Sequence, residues 1–220
     1  MDRTDRNKVI TRYTERFQLY GDSPKTLGWD KGKQDIRYET LLSLFELEGK
    51  SILDIGCGFG DANRVIAEVC SSYQYLGVDI VDVLINSAVK KYDFPNVCFV
   101  CDDFLEHQFT QKFDIIIASG VFNFKLENSE NIDFITRTID KAFSLANEGV
   151  SFDFLSDKVD YQLDHTFHSN PSKILEVFYE YTRNLVLINN VMPFEFAVTG
   201  FVNQKFDTSD TLFSRYKNAR

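Results

Sequence analysis

The sequence predicts an α/β fold in which helices cover both faces of a mostly parallel β-sheet. Three observations support this prediction. Strand and helix patterns alternate along residues 51–183. A glycine-rich turn, residues 56–60, joins the first predicted strand to the helix that follows it. The last two predicted strands are separated only by a turn at Pro193, which predicts an antiparallel hairpin near the end of the chain.

Each element follows from a local pattern. Short apolar runs bounded by turn residues predict strands at residues 51–55, 73–78, 96–101, 113–118, 149–155, 184–189 and 194–200. Apolar residues at helical spacing predict helices at residues 62–69, 81–92, 132–146 and 171–183. The last helix begins at Pro171, directly after Asn170, an order typical of helix starts. Residues 1–44 are predicted to form a helical cap or lid, and residues 45–220 the sheet domain.

Length, composition and charge narrow the class of protein. A chain of 220 residues, 44% hydrophobic and 26% charged, suits one globular domain. The net charge of −9 argues against a nucleic-acid partner, because a phosphate backbone requires a basic surface. Residues 1–37 are locally basic, with nine Lys or Arg and six Asp or Glu residues. Since the chain starts with charged residues and contains no apolar run long enough to cross a membrane, we expect a cytoplasmic protein without a membrane partner.

The four cysteines predict neither a disulfide framework nor a metal site. Cys98 and Cys101 lie in a predicted strand, where positions three apart face opposite sides of the sheet. No second close-spaced pair would complete a four-cysteine zinc site. A chain of this size has core enough to fold without disulfides.

The turn after the first strand reads Asp54-x-Gly56-x-Gly58-x-Gly60. Glycines at this turn let the backbone approach a ligand at the carboxyl end of the strand. The spacing differs from the Gly-x-Gly-x-x-Gly of dinucleotide binders, and Asp61 stands where a pyrophosphate would bind. The acidic residues Asp54 and Asp61, at the two ends of this segment, favour a ligand with a positive group instead.

Acidic residues also end the next two strands. Asp79 follows Gly60 by 19 residues, and a carboxylate there can accept hydrogen bonds from both hydroxyls of a ribose. Asp102, Asp103 and Phe104 end the third strand, where a carboxylate can accept from an adenine amino group and the ring can cover the base. A single acid at a strand end is often only a helix cap, but acids after successive strands meet at one edge of the sheet.

Residues 52–60, Ile-Leu-Asp-Ile-Gly-Cys-Gly-Phe-Gly, resemble motif I of the class I S-adenosylmethionine-dependent methyltransferases. Asp79, residues 102–104, and residues 113–117 with Ser119-Gly120-Val121 fall where that family keeps its later motifs. The resemblance implies a Rossmann-like, seven-stranded sheet of order 3-2-1-4-5-7-6 with strand 7 antiparallel. It also implies S-adenosylmethionine as the cofactor and S-adenosylhomocysteine as its product.

The resemblance assigns a role to each part of this edge. Asp54 and the glycines would line the methionine portion, Asp79 would hold the ribose, and Asp102 or Asp103 with Phe104 would hold the adenine. Ser119 and Gly120 would border the sulfonium. The full cofactor-binding set implied is Asp54, Gly56, Cys57, Gly58, Gly60, Asp79, Ile80, Asp102, Asp103, Phe104, Ser119 and Gly120.

The acceptor is less well defined by the sequence. We expect a small molecule methylated on oxygen, such as a carboxylate, a phosphonate or phosphoramidate, or a sugar hydroxyl. His165 and His168 follow the fifth strand on the ligand side and are candidates for a general base, or else polar loop residues. Asp160 and Asp164 lie near them, but the spacing is not that of a metal site.

The N-terminal segment is similar to the lid of some small bacterial methyltransferases of natural-product and surface-polysaccharide pathways. Tyr13, Tyr20 and Trp29 would close over the cofactor. Lys33 and Arg37 lie four apart on one helix face, where they would meet the cofactor carboxylate or an anionic acceptor, or else face solvent.

Other functions remain open at this level. One is a cofactor-binding module that transfers nothing, and another is an NAD-dependent oxidoreductase, which the glycine spacing disfavours. The acidic charge disfavours an RNA substrate. The protein is expected to be a monomer or a homodimer.

Overall fold

The computed structural model describes residues 1–28, 33–206, 208–209 and 211–218. Its strands are β1 (Lys50–Ile55), β2 (Tyr73–Asp79), β3 (Val97–Cys101), β4 (Phe113–Ala118), β5 (Ala146–Leu155), β6 (Leu185–Ile188) and β7 (Glu195–Phe201). Its helices are α1 (Arg3–Tyr20), α2 (Gln34–Leu42), α3 (Ala62–Val69), α4 (Asp82–Lys91), α5 (Asn131–Leu145), α6 (Pro171–Tyr179) and α7 (Leu212–Asn218).

The strands form one seven-stranded sheet in the order β3-β2-β1-β4-β5-β7-β6. β1 pairs in parallel with both β2 and β4, and the parallel pairing continues outwards to β3 and β5. β7 runs antiparallel between β5 and β6. The predicted fold class, strand order and closing hairpin are therefore confirmed. The strand order reverses between β1 and β4, so a crevice is expected where these two strands end.

Some element bounds differ from the sequence prediction. β5 begins at Ala146, immediately after α5 ends at Leu145, which makes the strand longer than predicted. α6 ends at Tyr179, earlier than predicted, because the chain after it turns back to the sheet, where the Thr182 hydroxyl donates to the carbonyl of Phe201 at 2.7 Å. The helix α7 was not predicted.

The core lies on both faces of the two central strands. Ile116 and Leu53 pack on one face with an aromatic cluster that includes Phe122, Phe152 and Phe178. The opposite face packs against α2 and α3, whose buried hydrophobic residues are Tyr38, Leu41, Leu42, Ala62, Val65 and Ile66. All four cysteines are free, and Cys98 and Cys101 on β3 are exposed. The sheet edge that carries the sequence motifs thus lies above a core packed on both faces of the central strands.

Helix α1 is fixed across the carboxyl edge of the sheet by one buried carboxylate. Asp5 is fully buried and accepts hydrogen bonds from the backbone N–H groups of Glu127 and Asn128, each at 3.0 Å. Burial alone would raise the pKa of Asp5, but these hydrogen bonds outweigh it and the pKa lies below its usual value. Among the described residues, no helix is both long and apolar enough to cross a membrane.

Candidate functional site

A cleft with an open mouth lies at the carboxyl ends of β1, β2 and β4, and its volume is about 1060 Å³ when the solvent space at the mouth is included. The structure brings most of the predicted cofactor residues together here: Gly56, Cys57, Gly58, Asp79, Ile80, Asp102, Asp103, Phe104, Ser119 and Gly120 all line the cleft. Helices α1 and α2 cover it with Val9, Tyr13, Gln34 and Tyr38. The cleft therefore lies at the reversal point of the strand order, beneath the N-terminal helices.

Backbone, not side chains, forms the wall contributed by the glycine turn. Gly56 and Gly58 have φ values of 67° and 56°, in the left-handed region that favours glycine. A Cβ atom on Gly56 would also lie 2.5 Å from Cγ2 of Val121, on the turn after β4. The two turns thus fit against each other only when this position has no side chain.

Asp79 joins the glycine turn to the end of β2. Its Oδ2 accepts from the N–H of Gly58 and its Oδ1 from the N–H of Val81, both at 2.9 Å. Burial raises the pKa of Asp79, against the lowering effect of these backbone hydrogen bonds. Each carboxylate oxygen accepts at a second lone pair as well, so the group can receive two adjacent hydroxyls from a ligand in the cleft.

Asp102 and Asp103 have different surroundings at the end of β3. The Asp102 Oδ2 accepts from Nδ1 of His107 at 2.9 Å, and this hydrogen bond lowers the pKa of Asp102. Asp103 is buried, its Oδ1 accepts from the N–H of Leu105 at 2.9 Å, and Arg6 of α1 lies 4.0 Å from its Oδ2. Asp103 therefore holds the loop and α1, while Asp102 is the more exposed of the two carboxylates.

Phe104 begins the apolar end of the cleft. It is 5% exposed, and the ammonium of Lys141 lies 5.3 Å from its ring centroid. Leu105, Leu126 and Phe134 line the cleft beside it. This end offers flat apolar surfaces of the kind that suit a nucleobase.

Asp54 does not line the cleft but lies beneath the glycine turn. It is 1% exposed, and the Tyr75 hydroxyl donates to its Oδ2 at 2.7 Å. Burial raises the pKa of Asp54 to about 7, the hydrogen bond from Tyr75 opposes this, and the carboxylates of Asp79 and Asp153 add to it. Asp54 thus supports the turn from below and adds negative potential to the site.

Gly60 and Asp61 also face away from the cleft. A Cβ atom on Gly60 would lie 2.5 Å from the ring of Phe99, so this glycine permits packing against β3. The Asp61 carboxylate accepts from Lys91 at 2.6 Å and from the Tyr92 hydroxyl at 3.0 Å. The sequence argument that Asp61 stands beside a bound ligand therefore loses its support.

Asp153, on β5, was not identified from the sequence. It is 4% exposed, and its two oxygens accept from the Ser119 hydroxyl at 2.6 Å and from the N–H of Gly120 at 2.7 Å. Burial and the nearby Glu195 carboxylate raise the pKa of Asp153 to about 6, while Arg37 and the two hydrogen bonds lower it. This carboxylate fixes the turn that the sequence assigned to the reacting group.

The two predicted base candidates lie elsewhere. Neither His165 nor His168 lines the cleft. His165 is exposed. His168 donates from Nδ1 to the carbonyl of Ser156 at 2.7 Å, and its Nε2 lies 3.1 Å from the Thr166 hydroxyl. The geometry gives no support to a histidine base.

The predicted lid residues separate into two groups. Tyr13 lines the cleft. Tyr20 is exposed, and its ring lies 5.6 Å from the guanidinium of Arg16. Lys33 is exposed at the start of α2 and does not line the cleft. Trp29 lies outside the described residues.

Arg37 is buried and paired rather than directed at a ligand. Its guanidinium binds both carboxylate oxygens of Glu195 on β7, with Nε 2.5 Å from Oε2. Helix α2 instead presents Gln34 and Tyr38 to the cleft, and the Gln34 amide donates to the Tyr38 hydroxyl at 2.9 Å. Neither residue was identified from the sequence.

No metal centre emerges from the part of the chain that the structure describes, since no three His, Cys, Asp or Glu residues are grouped to hold an ion. The cleft residues that remain are hydrogen-bond acceptors, backbone N–H groups and apolar side chains. They can bind and orient a ligand that carries hydroxyls, a positive group and a flat ring.

The chain is similar to several known proteins. The malonyl-[acyl-carrier protein] O-methyltransferase of Acetivibrio thermocellus is 33% identical over 86 residues, which are 38% of this chain and 30% of that protein. The chain thus matches less than a third of that relative's length. The magnesium protoporphyrin IX methyltransferase of Synechocystis PCC 6803, solved with bound S-adenosylmethionine, superposes with a TM-score of 0.67 at 16% identity, over 92% of this chain and 98% of that one.

A second solved structure has the same fold. It is the N-methyltransferase NodS of Bradyrhizobium japonicum WM9 in complex with S-adenosylhomocysteine, with a TM-score of 0.63 at 16% identity, over 86% of this chain and 97% of that one. The family model described as a methyltransferase domain matches residues 46–207, from just before β1 to beyond β7. With its sheet order and glycine turn, the chain therefore belongs to the methyltransferase-domain family.

Proposed function

We propose that this protein transfers a methyl group from S-adenosylmethionine to an oxygen of a small organic acid. The observation that carries the proposal is the position of Asp79, whose carboxylate is fixed by two backbone N–H groups at the glycine turn and still faces the cleft. This is the arrangement needed to hold the two hydroxyls of an unphosphorylated ribose. The methyl donor supplies an electrophilic carbon on a positively charged sulfur.

The cleft fits this donor better than it fits NAD. Among the described residues, the charged side chains that line it are all carboxylates: Asp79, Asp102 and Asp103. A sulfonium and an amino group are stabilised by this negative potential, whereas a pyrophosphate would be repelled. The apolar end beside Phe104 offers a site for the adenine.

The residues that line the cleft also favour an acceptor that is already ionised. Among the lining residues that the structure describes, none is a histidine or lysine that could remove a proton from an alcohol. A carboxylate or phosphonate oxygen needs no base, and its methylation depends on alignment with the methyl group. The name of the matched Acetivibrio thermocellus relative, an O-methyltransferase, supports oxygen as the acceptor atom. The role of this chain is to orient the methyl donor. Asp79 holds one end of the donor, and the turn at Gly120 borders the other end.

The test is calorimetric titration of the purified protein with S-adenosylhomocysteine, with NAD as the matched control. Micromolar binding of the first and none of the second is expected. Binding of NAD alone would favour the oxidoreductase, and binding of neither to a folded sample would overturn the proposal. Binding of S-adenosylhomocysteine without transfer to any carboxylate or phosphonate would favour a cofactor-binding module that transfers nothing.

A further inference from the structure

Arg12 of α1 lies at the rim of the cleft. Its guanidinium carbon is 6.0 Å from the ring centroid of Phe124, which lines the cleft on the loop after β4. The next residue, Tyr13, also lines the cleft, and Arg12 itself is only partly exposed. A positive charge is thus held where the helix and the loop meet over the cleft.

The other basic residues along this part of α1 have polar partners. Arg6 lies 4.0 Å from the Asp103 carboxylate, and Lys8 pairs with Glu127. Arg16 donates from Nε to the carbonyl of Thr26 at 2.9 Å. These contacts hold the helix against neighbouring loops.

Arg12 differs from them. Within the described ranges it makes no hydrogen bond or ion pair, and its recorded contact is the face of Phe124. A guanidinium has five N–H donors arranged to bind the two oxygens of a carboxylate, and the aromatic face leaves them all available. A partly buried arginine of this kind lacks the counter-charge that a ligand would provide.

Tyr13, which lines the cleft, is influenced by both Arg12 and Asp79. Burial raises the pKa of the Tyr13 hydroxyl and the Asp79 carboxylate adds to this effect, while Arg12 and Arg16 lower the pKa. Phe124 lies on the same loop as Gly120. Through its contact with Phe124, Arg12 therefore lies over the loop that also carries Gly120.

We propose that Arg12 binds the anionic group of the acceptor, and that Phe124 and Tyr13 pack against the organic part of that molecule. The acceptor would be a small organic carboxylate. The proposal rests on the proposed function, since it assigns the second substrate of the same cleft. An anion entering a cleft lined by three carboxylates would be repelled, and the guanidinium at the rim offsets this repulsion.

In the transfer step, a carboxylate oxygen of the acceptor forms the new bond to the methyl carbon, the bond from that carbon to sulfur breaks, and its electron pair stays on sulfur. No proton moves, which agrees with the absence of a histidine or lysine among the described residues that line the cleft. The product ester is neutral, so its attraction to Arg12 is weaker than that of the substrate.

The test compares Arg12→Gln with Arg3→Gln, a matched change at an exposed position of the same helix. Both variants and the unchanged protein receive labelled S-adenosylmethionine and a panel of aromatic and aliphatic carboxylates, each paired with its primary amide. We expect methylation of at least one carboxylate and not of its amide. Arg12→Gln should raise KM for that carboxylate at least tenfold, with S-adenosylhomocysteine affinity within twofold. Arg12→Lys should recover part of the loss.

Unchanged KM in Arg12→Gln, transfer to neutral molecules or amines alone, or no transfer to any carboxylate would overturn this inference. In each of these cases, retained binding of S-adenosylhomocysteine leaves the cofactor assignment standing. If the unsubstituted protein does not bind S-adenosylhomocysteine, the proposed function itself is overturned.

Discussion

The carboxylate of Asp153 accepts a hydrogen bond from the backbone N–H of Gly120 at 2.7 Å, from inside a buried strand. Its other oxygen accepts from the Ser119 hydroxyl at 2.6 Å. Gly120 has a φ of 72°, so the chain turns sharply as it leaves β4. The turn after β4, which forms one wall of the cleft, is therefore fixed from behind by the neighbouring strand β5.

Asp153→Asn is expected to weaken S-adenosylhomocysteine binding about tenfold. The amide has one acceptor oxygen where the carboxylate has two, so either Ser119 or Gly120 loses its partner, and hydrogen bonds to a charged group contribute about 1.5–3 kcal/mol. Calorimetric titration of the variant measures this loss.

Asp114→Asn is the matched control. Asp114, near the opposite end of β4, accepts from both the N–H and the hydroxyl of Ser51, each at 2.8 Å, and does not line the cleft. This variant should lose stability to urea while keeping its affinity for S-adenosylhomocysteine. Equal affinity losses in the two variants would show that Asp153 acts through general stability and not through the turn.

Asp79→Ala should weaken S-adenosylhomocysteine binding by about 1–3 kcal/mol, because charge-assisted hydrogen bonds to the ribose would be lost. The control is Asp61→Ala. Asp61 lies in the same region, but its carboxylate faces Lys91 and does not line the cleft. Calorimetry on both variants, with circular dichroism to confirm the fold, provides the measurement. If Asp61→Ala has the larger effect, the ribose assignment is incorrect.

The contrast between Asp79 and Arg37 shows what the sequence can and cannot predict. The position of Asp79 at the cleft could be predicted because this residue ends a strand, and parallel strands end at one edge of the sheet. Arg37 pairs with Glu195, 158 positions away, and helical spacing carries no information about such a partner. From the sequence, the arginine was expected to face either a ligand or solvent, whereas it is buried against Glu195.

The importance of Asp153 could be predicted from the sequence only in part. The sequence shows an aspartate between Phe152 and Phe154, which interrupts an apolar strand. A buried carboxylate needs hydrogen-bond donors, which predicts a structural or functional role. Its donors on the turn after β4 could be identified only once the pairing of β4 with β5 was known.

The raised pKa of Asp54, about 7, predicts a pH-dependent stability of the ligand-free protein. The unfolded chain has an Asp pKa of about 3.9, so between these values the folded state binds more protons than the unfolded state. Stability should therefore be highest at the acidic end of this interval and fall as pH rises through 7, with a slope of up to about 1.4 kcal/mol per pH unit. Urea denaturation at pH 5, 6, 7 and 8 measures the slope.

Asp54→Asn removes this titrating group, and its amide oxygen can still accept from Tyr75. In this variant the free energy of unfolding should change less steeply with pH between pH 6 and 8. The smaller pH dependence that remains near pH 6 is expected to come from Asp153. An unchanged slope would mean that Asp54 is ionised in the folded protein throughout this range.

The cap or lid predicted for residues 1–44 can be tested at Asp5. Asp5→Ala leaves the N–H groups of Glu127 and Asn128 without their acceptor, so the start of α1 should detach from the loop after β4. We expect faster hydrogen exchange throughout α1, unchanged exchange in β1 and β4, and about tenfold faster dissociation of S-adenosylhomocysteine. Asp133→Ala, which removes an exposed carboxylate with a weak partner at 3.9 Å, is the control. Faster exchange in α1 with unchanged dissociation would show that this helix covers the cleft without retaining the cofactor.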